Sequence, residues 1–308
     1  MIAVKEINDV SVWRFVEYHL PAIERALEEN LPLAPPEIET QFNEAVRYLI
    51  FPGGKRLRPI LTILGAELFG GTGADVMHAA AAVEYIHTSS IIFDDLPCMD
   101  NSPNRRGRLS LHEKYGEGLS SLVAIGFLNH SYRLVTMGGH GDAKRSLDAV
   151  REIVDCVGPA GMVGGQSVDL MVFNKAECRT CAIRSERDLQ NLKTSALIRL
   201  SLNLGAILSG ANDEERTYLS SFADSLGHAY QISDDIIDAE EDATVIGIEE
   251  SHKDDNCRPT YLQDNLIAAT VRSKTILTDH FPPCEARNCL MQLVDYVATR
   301  NQLTPNSG

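Results

Sequence analysis

An all-α fold is predicted from three observations. Apolar residues recur at helical spacing over long stretches, alternating or β-branched runs are scarce, and the breaks between periodic stretches carry Gly and Pro. Helices are expected near residues 10–29, 37–49, 56–69, 73–96, 119–136, 142–157, 182–210, 213–239, 262–279 and 283–301. Leu33-Ala34-Pro35-Pro36 separates the first two, and Phe51-Pro52-Gly53-Gly54 the second from the third. Gly70-Gly71, Gly138-Gly139 and Phe281-Pro282-Pro283 mark later stops, because proline interrupts the hydrogen-bond ladder and glycine readily closes a helix. No long linker and no fixed-period repeat is visible. Residues 1–308 are therefore expected to form a single domain, with 303–308 as a frayed tail.

Composition narrows the function. A chain of 308 residues with 44% hydrophobic content can fill a sizeable core, and its formal net charge of −15 argues against nucleic acid, whose phosphates are bound by surplus Lys and Arg. Met1 to Leu20 contains Lys5, Glu6, Asp9, Arg14 and Glu17, so no secretory signal is expected there. No window has the roughly 20 apolar residues of a membrane span, and a cytoplasmic location is expected. The seven cysteines, at 98, 156, 178, 181, 257, 284 and 289, have no disulfide rhythm and are expected as thiols. Cys178 and Cys181 form a lone CxxC without two further zinc ligands nearby.

Two aspartate clusters carry the first chemical signal. Asp94-Asp95-Leu96-Pro97-Cys98-Met99-Asp100 closes the apolar run Ala79 to Phe93. In Asp234-Asp235-Ile236-Ile237-Asp238, Asp234 and Asp238 lie one turn apart on one helix face, where like charges repel. Such repulsion beside Ile232, Ile236 and Ile237 is expected to be offset by bound cations. In the first cluster an ideal helix would turn Asp100 away from Asp94. Pro97, by breaking the ladder, lets Asp100 swing back. Oxygen-only ligands suit Mg²⁺, which takes one or two carboxylates and completes its shell with water and phosphate, so a polyphosphate substrate is implied. Each cluster taken alone also fits a charged helix end.

The basic counterpart is conspicuous in an acidic chain. Gly53-Gly54-Lys55-Arg56-Leu57-Arg58-Pro59 places glycines before a helix start, where backbone N–H groups approach an anion, and Lys55 and Arg58 can point to one side. Asn104-Arg105-Arg106-Gly107-Arg108 adds arginines suited to bidentate phosphate recognition. Either segment alone also fits an exposed basic turn. Together, the acids and bases imply two diphosphates, one held through Mg²⁺ and one held directly.

These residues carry a resemblance. GGKRLRP at 53–59, EYIHTSSIIFDDLPCMDN at 84–101, RRG at 105–107, GMVGGQSVDL at 161–170, LKT at 192–194 and GHAYQISDDIID at 227–238 are similar to the trans-type isoprenyl diphosphate synthases, most closely the geranylgeranyl diphosphate synthases. The likeness covers residues 40–262 in the family's order. It implies a bundle of mostly antiparallel helices around a deep central cavity, assembled as a homodimer, that joins isopentenyl diphosphate to an allylic (dimethylallyl, geranyl or farnesyl) diphosphate. It also implies that Lys55, Arg58, His87 and Arg106 hold isopentenyl diphosphate, and that Arg105, Lys193, Thr194 and Gln231 contact the allylic substrate. Asp94, Asp100 and Asp234 are the implied primary Mg²⁺ ligands among three ions, with Asp95 and Asp238 assisting directly or through water, and Asp235 belongs to the same implied catalytic set. Lys193, Thr194 and the Gln231 carbonyl are implied to stabilise an allylic cation.

Product length follows from the helix entering Asp94. Ser89 and Ser90 lie five and four residues before it, about 6–8 Å along the axis at 1.5 Å per residue. In the resembling family, aromatic residues at this level shorten the product, so paired serines favour C20 over C15. Met77 and Val83 lie deeper.

Departures from that pattern and other readings stand beside it. Phe93 replaces a frequent His, Phe127 replaces a frequent Asp after Gly126, and the usual glycine-lysine elements are blurred over Ala239 to Tyr261, where Lys253 and Arg258 remain. Glu240-Glu241-Asp242 is expected as a solvated loop. A farnesyl diphosphate synthase or a catalytically weak subunit of a heteromeric synthase are the near alternatives. A di-metal carboxylate bundle is the distant one, since Glu84 and His87, and Glu249 and His252, have Glu-x-x-His spacing. His112 is expected as a polar helix position, and Trp13 and Tyr18 as packing or dimer contacts.

Overall fold

A computed structural model describes residues 5–38, 41–51, 53–138, 142–173, 195–245 and 258–300. Among these, α1 (Lys5–Glu29), α2 (Phe42–Ile50), α3 (Leu57–Glu67) and α4 (Ala74–Asp95) lead to two-residue strands β1 (Asn104–Arg105) and β2 (Arg108–Leu109). Then follow α5 (Leu111–Tyr115), α6 (Glu117–Met137), α7 (Ala143–Val157), α8 (Met162–Phe173), α9 (Ala196–Leu208), α10 (Asp213–Val245), α11 (Arg258–His280) and α12 (Glu285–Thr299). The fold is all-α, as expected.

Helix α4 is the axis. Every residue from Ala79 to Ile86 is buried, so this helix has no solvent face and packs against α6, α3, α9 and α1. Its alanines admit neighbours closely, and Tyr85 fixes two of them. The Tyr85 hydroxyl donates to the Leu27 carbonyl of α1 at 2.6 Å, while its ring lies 5.2 Å from Phe127 of α6. The Asp-to-Phe departure at 127 is thus a core-packing choice.

Helices α3 and α9 approach more closely still. A Cβ on Gly65 would come within 2.3 Å of the Leu202 carbonyl oxygen, and one on Gly205 within 2.0 Å of that of Thr62. Only paired glycines permit this crossing. The core around these helices runs from Val12 to Val297. The terminal helices join it through α12, which packs on α1, α3, α10 and α11, with Trp13 edge-on to Tyr296 at 5.2 Å. Tyr18, in contrast, is largely exposed.

Three local expectations are corrected, and a fourth is described only in part. Residues 104–109 form a hairpin, because Arg106 and Gly107 both adopt left-handed φ (53° and 73°) between the Arg105–Arg108 pair, as a tight two-residue turn requires. α5 and α8 are helices absent from the expected set; both are short, and α8 carries two glycines that blur its periodicity. Glu240, Glu241 and Asp242 lie on α10, which continues to Val245, since Ala and Glu propagate a helix that nothing stops. The expected helix over 182–210 is described only from Ala196 to Leu208.

Candidate active site

The basic loop is assembled before any ligand arrives. Arg56 caps α3 in a left-handed conformation (φ 51°), and this turn sends its own side chain inward while Lys55 and Arg58 lie to either side. Nη1 of Arg58 meets Nε2 of His87 at 3.1 Å. Arginine can only donate, so Nε2 accepts and the imidazole proton sits on Nδ1, a buried atom without a partner. Burial first, then the charges of Arg58, Arg106, Arg56 and Arg105, hold His87 well below its ordinary pKa. Arg106, at the hairpin tip, lies against Gly54, where a Cβ would be 3.2 Å from its Nη2. Lys55 Nζ reaches the Tyr296 hydroxyl at 3.5 Å. The four residues expected to hold one diphosphate are therefore neighbours. Arg56 and Arg106 each carry about 1–3 kcal/mol of backbone strain, located at this site.

The first aspartate cluster sits where α4 stops. Leu96 leaves the helix, Pro97 follows, and the chain turns so that the Asp100 N–H donates to the Asp94 carbonyl at 2.9 Å. Asp100 is thus brought back beside Asp94, as the proline predicts. The Ser102 N–H donates to the Asp95 carbonyl at 3.2 Å and fixes the same turn. The Asp95 side chain is buried and forms an ion pair with Arg105, whose Nε lies 3.0 Å from one carboxylate oxygen. Arg105 and Asp95, expected to serve substrate and metal respectively, hold each other here.

The second cluster lies on α10. Asp234 is half-buried and pairs with Arg300, which also donates to Ser233 Oγ at 2.8 Å and the Tyr230 carbonyl at 2.7 Å, and stacks over the Tyr230 ring. Asp235 is exposed. The last helix links this cluster to the basic loop, since its Arg300 holds Asp234 while its Tyr296 meets Lys55. Gln231 is buried with its Oε1 unpartnered. Lys193, Thr194, Cys178, Cys181, Glu249, His252 and Lys253 lie outside the described residues, as do the side chains of Asp238 and Arg258.

Sequence reasoning missed three contributors. Tyr296 and Arg300 share a face of the last helix, four residues apart, and touch Lys55 and Asp234; that spacing was the available signal. Gln166, inside a quoted motif but without a role, has a buried unpartnered Oε1 and faces Met99 Sδ at 3.8 Å. Arg58 Nε, His87 Nδ1, Gln166 Oε1 and Gln231 Oε1 form a set of buried polar atoms lacking partners, a condition that calls for a ligand or water.

Residues 39–262 match the Polyprenyl synthetase family model. The chain belongs to the polyprenyl synthetase family. A chloroplastic geranylgeranyl pyrophosphate synthase from Catharanthus roseus is 37% identical over 73% of this chain and 62% of its own length. A heterodimeric geranylgeranyl pyrophosphate synthase large subunit 2 from Arabidopsis thaliana is also 37% identical, over 73% of this chain and 59% of its own. The match thus spans less than two thirds of these curated relatives. Among solved structures, an FPP/GFPP synthase from Zymomonas mobilis superposes with a TM-score of 0.80 at 28% identity, covering 94% of this chain and 99% of that one.

The donor set fits a hard cation. Among the described residues no three His, Cys, Asp or Glu side chains gather closely enough to hold a metal unaided. The aspartates offer oxygen donors alone, the chemistry that Mg²⁺ takes. Asp234, holding a guanidinium, already accommodates a positive group. The di-metal bundle loses its first motif, because Glu84 bonds Arg56 and His87 bonds Arg58. His112 is a buried helical residue whose Nδ1 meets Ser110 Oγ at 3.0 Å, as expected of a structural position.

Proposed function

We propose that this polyprenyl synthetase condenses isopentenyl diphosphate with an allylic diphosphate and releases a product of C20 length. The observation that carries the reading is the cluster of Lys55, Arg58, His87 and Arg106, with buried donors and acceptors left over, beside two oxygen-only acidic clusters. Asp94, Asp100, Asp234 and Asp238 are the side chains that would hold Mg²⁺, taken as three ions. When bound, it neutralises the diphosphate that leaves the allylic carbon.

The residues of the chain account for the other demands. Lys55, Arg58 and Arg106 bind the second diphosphate directly, and neutral His87 can donate to it through Nδ1. The allylic C–O bond breaks, the isopentenyl double bond attacks the resulting cation at C1, and loss of a proton restores an allylic product one unit longer. The unpartnered Gln231 Oε1 turns a negative dipole to the cation without reorganising, with Lys193 and Thr194 assigned to the same end. Apolar burial along α4 excludes water that would quench the cation. No side chain is assigned as base; the departing diphosphate can take the proton.

Ser89 is buried, and Ser90 is half-buried with its hydroxyl donating to the His87 carbonyl at 2.8 Å; the C20 reading rests on both being small side chains one turn before Asp94. Leu122 and Ile125, both exposed on one face of α6, are read as the contact with a second copy in a homodimer. No helix among the described residues is long and apolar enough to cross a membrane, and the working location is taken as the cytoplasm. Incubation of the purified chain with Mg²⁺, isopentenyl diphosphate and each allylic starter, followed by mass analysis of hydrolysed products, tests the reading. A C20 alcohol is expected. Turnover only after a second, different subunit is added would replace it with the heteromeric-subunit reading, and a C15 product with the farnesyl one.

A further inference from the structure

We infer that Arg56, held by Glu24 of α1 and Glu84 of α4, is a positioning residue that sets the isopentenyl diphosphate loop and keeps Glu84 from neutralising it; this rests on the function proposed above. Arg56 stands between Lys55 and Arg58 but cannot serve as they do. Its side chain is 1% exposed, and its guanidinium is committed in every direction. Nε and Nη2 donate to the Glu24 carboxylate at 2.7 and 3.2 Å, Nη1 to Glu84 at 2.7 Å, and Nη2 also to the Ile50 carbonyl at 2.8 Å.

Two features tie this group to the loop's shape. The left-handed backbone at Arg56 turns its side chain into the protein, so the flanking cations are presented only while that side chain is anchored. Gly53 lies directly over the guanidinium, where a Cβ would approach Cζ to 2.0 Å, so the loop is folded around Arg56. A third feature is electrostatic. Glu84 acts on Arg58 as well as on Arg56, and it is buried one turn before His87. With Arg56 in place the carboxylate is satisfied. Without it, the same charge falls on Arg58 and lowers the attraction for an incoming diphosphate.

Glu24 adds a longer connection. It belongs to a helix preceding the residues that match the family, so a segment outside that match supports a loop within it.

The test compares two substrates. Arg56→Met alone strands the Glu84 carboxylate in the core, so both charges are removed together in R56M/E84Q, and Glu24→Ala is made separately because Glu24 is partly exposed. Circular dichroism and melting establish folding; titration calorimetry and steady-state kinetics then give the affinity and KM for isopentenyl diphosphate and for Mg²⁺-geranyl diphosphate. In R56M/E84Q the isopentenyl diphosphate Kd and KM should rise about tenfold or more, with the geranyl diphosphate values and kcat within about threefold. E24A should give about a threefold rise in the same selective sense. A folded double variant with unchanged isopentenyl diphosphate KM, or equal loss for both substrates, overturns the inference. If the double variant does not fold, E24A decides by the same criteria. A wild-type chain with no affinity for isopentenyl diphosphate removes the proposed function and this inference together, whereas wild-type binding matched by the variant removes the inference alone.

Discussion

Around the neutral His87, the positive groups of Arg58 and Arg106 act on one another, whereas at the two aspartate clusters Asp95 and Asp234 already hold Arg105 and Arg300. The first region stores repulsion that an anion relieves, and its atoms are fixed by Arg56 and by the hairpin. In the second, each cluster already holds one guanidinium, which under the proposed function would have to give way to a metal ion. One half is organised in advance; the other is organised by its ligands. That difference is open to attack from either side.

The largest effect is expected from removing a metal-holding carboxylate. Asp94→Ala or Asp234→Ala should lower kcat by about 10²–10³-fold, because the charge it helps to stabilise develops in the transition state. Turnover within tenfold of wild type, measured by product radioassay, would break the acidic half of the comparison. Next, Arg58→Met should raise the isopentenyl diphosphate KM by about 10–100-fold with a smaller change in kcat, since a charge-assisted hydrogen bond is lost.

Ser89→Phe sharpens the view of α4 between the two halves, and products should shift from C20 to C15 or C10 by chromatography. An unchanged spectrum removes Ser89 from the cavity wall. Arg300→Met probes the exchange itself. The Arg300–Asp234 pair is half-exposed on the acid side, so releasing it should lower the Mg²⁺ concentration for half-maximal binding by only about two- to fivefold, read by calorimetry with an inert bisphosphonate. A rise would show that Arg300 assists the ligand rather than competing.

The smallest effect concerns protonation. In the free protein His87 should stay neutral from pH 8 down through 6.5, where an ordinary histidine titrates, because burial and then neighbouring arginines disfavour its charged form. The unfolded chain takes up that proton near 6.5 and the folded chain does not, so stability from this group is present above that pH and declines as pH falls below it. NMR of the imidazole carbons checks the first statement, and melting between pH 5 and 8 the second.

Much of the fold was legible because helical periodicity is a local signal. The stop at Pro97 and the return of Asp100 to Asp94 also followed from local covalent geometry. The hairpin was hidden, since its turn needs φ > 0 at an arginine, a conformation the sequence does not advertise. The basic segment around Lys55 and Arg58 was legible from its charge, whereas His87, which the structure sets against Arg58, was named only through the resemblance. The site was not legible where a role depends on which distant side chain arrives. Arg56 reads like its neighbours Lys55 and Arg58 but is buried by Glu24 and Glu84, and Arg300 reaches Asp234 from the last helix. The four-residue step between Tyr296 and Arg300 marks a shared helix face, but nothing in the spacing names the distant residues that face meets.

The hairpin tip has a consequence for thermal tolerance. Arg106 occupies a backbone shape that asparagine or glycine adopts with less difficulty, so Arg106→Asn should let the tip relax and slightly raise the melting temperature while discarding a phosphate contact. A lineage selected only for heat resistance would drift away from arginine there. In this chain the tip keeps an arginine side chain at the expense of an easier backbone shape.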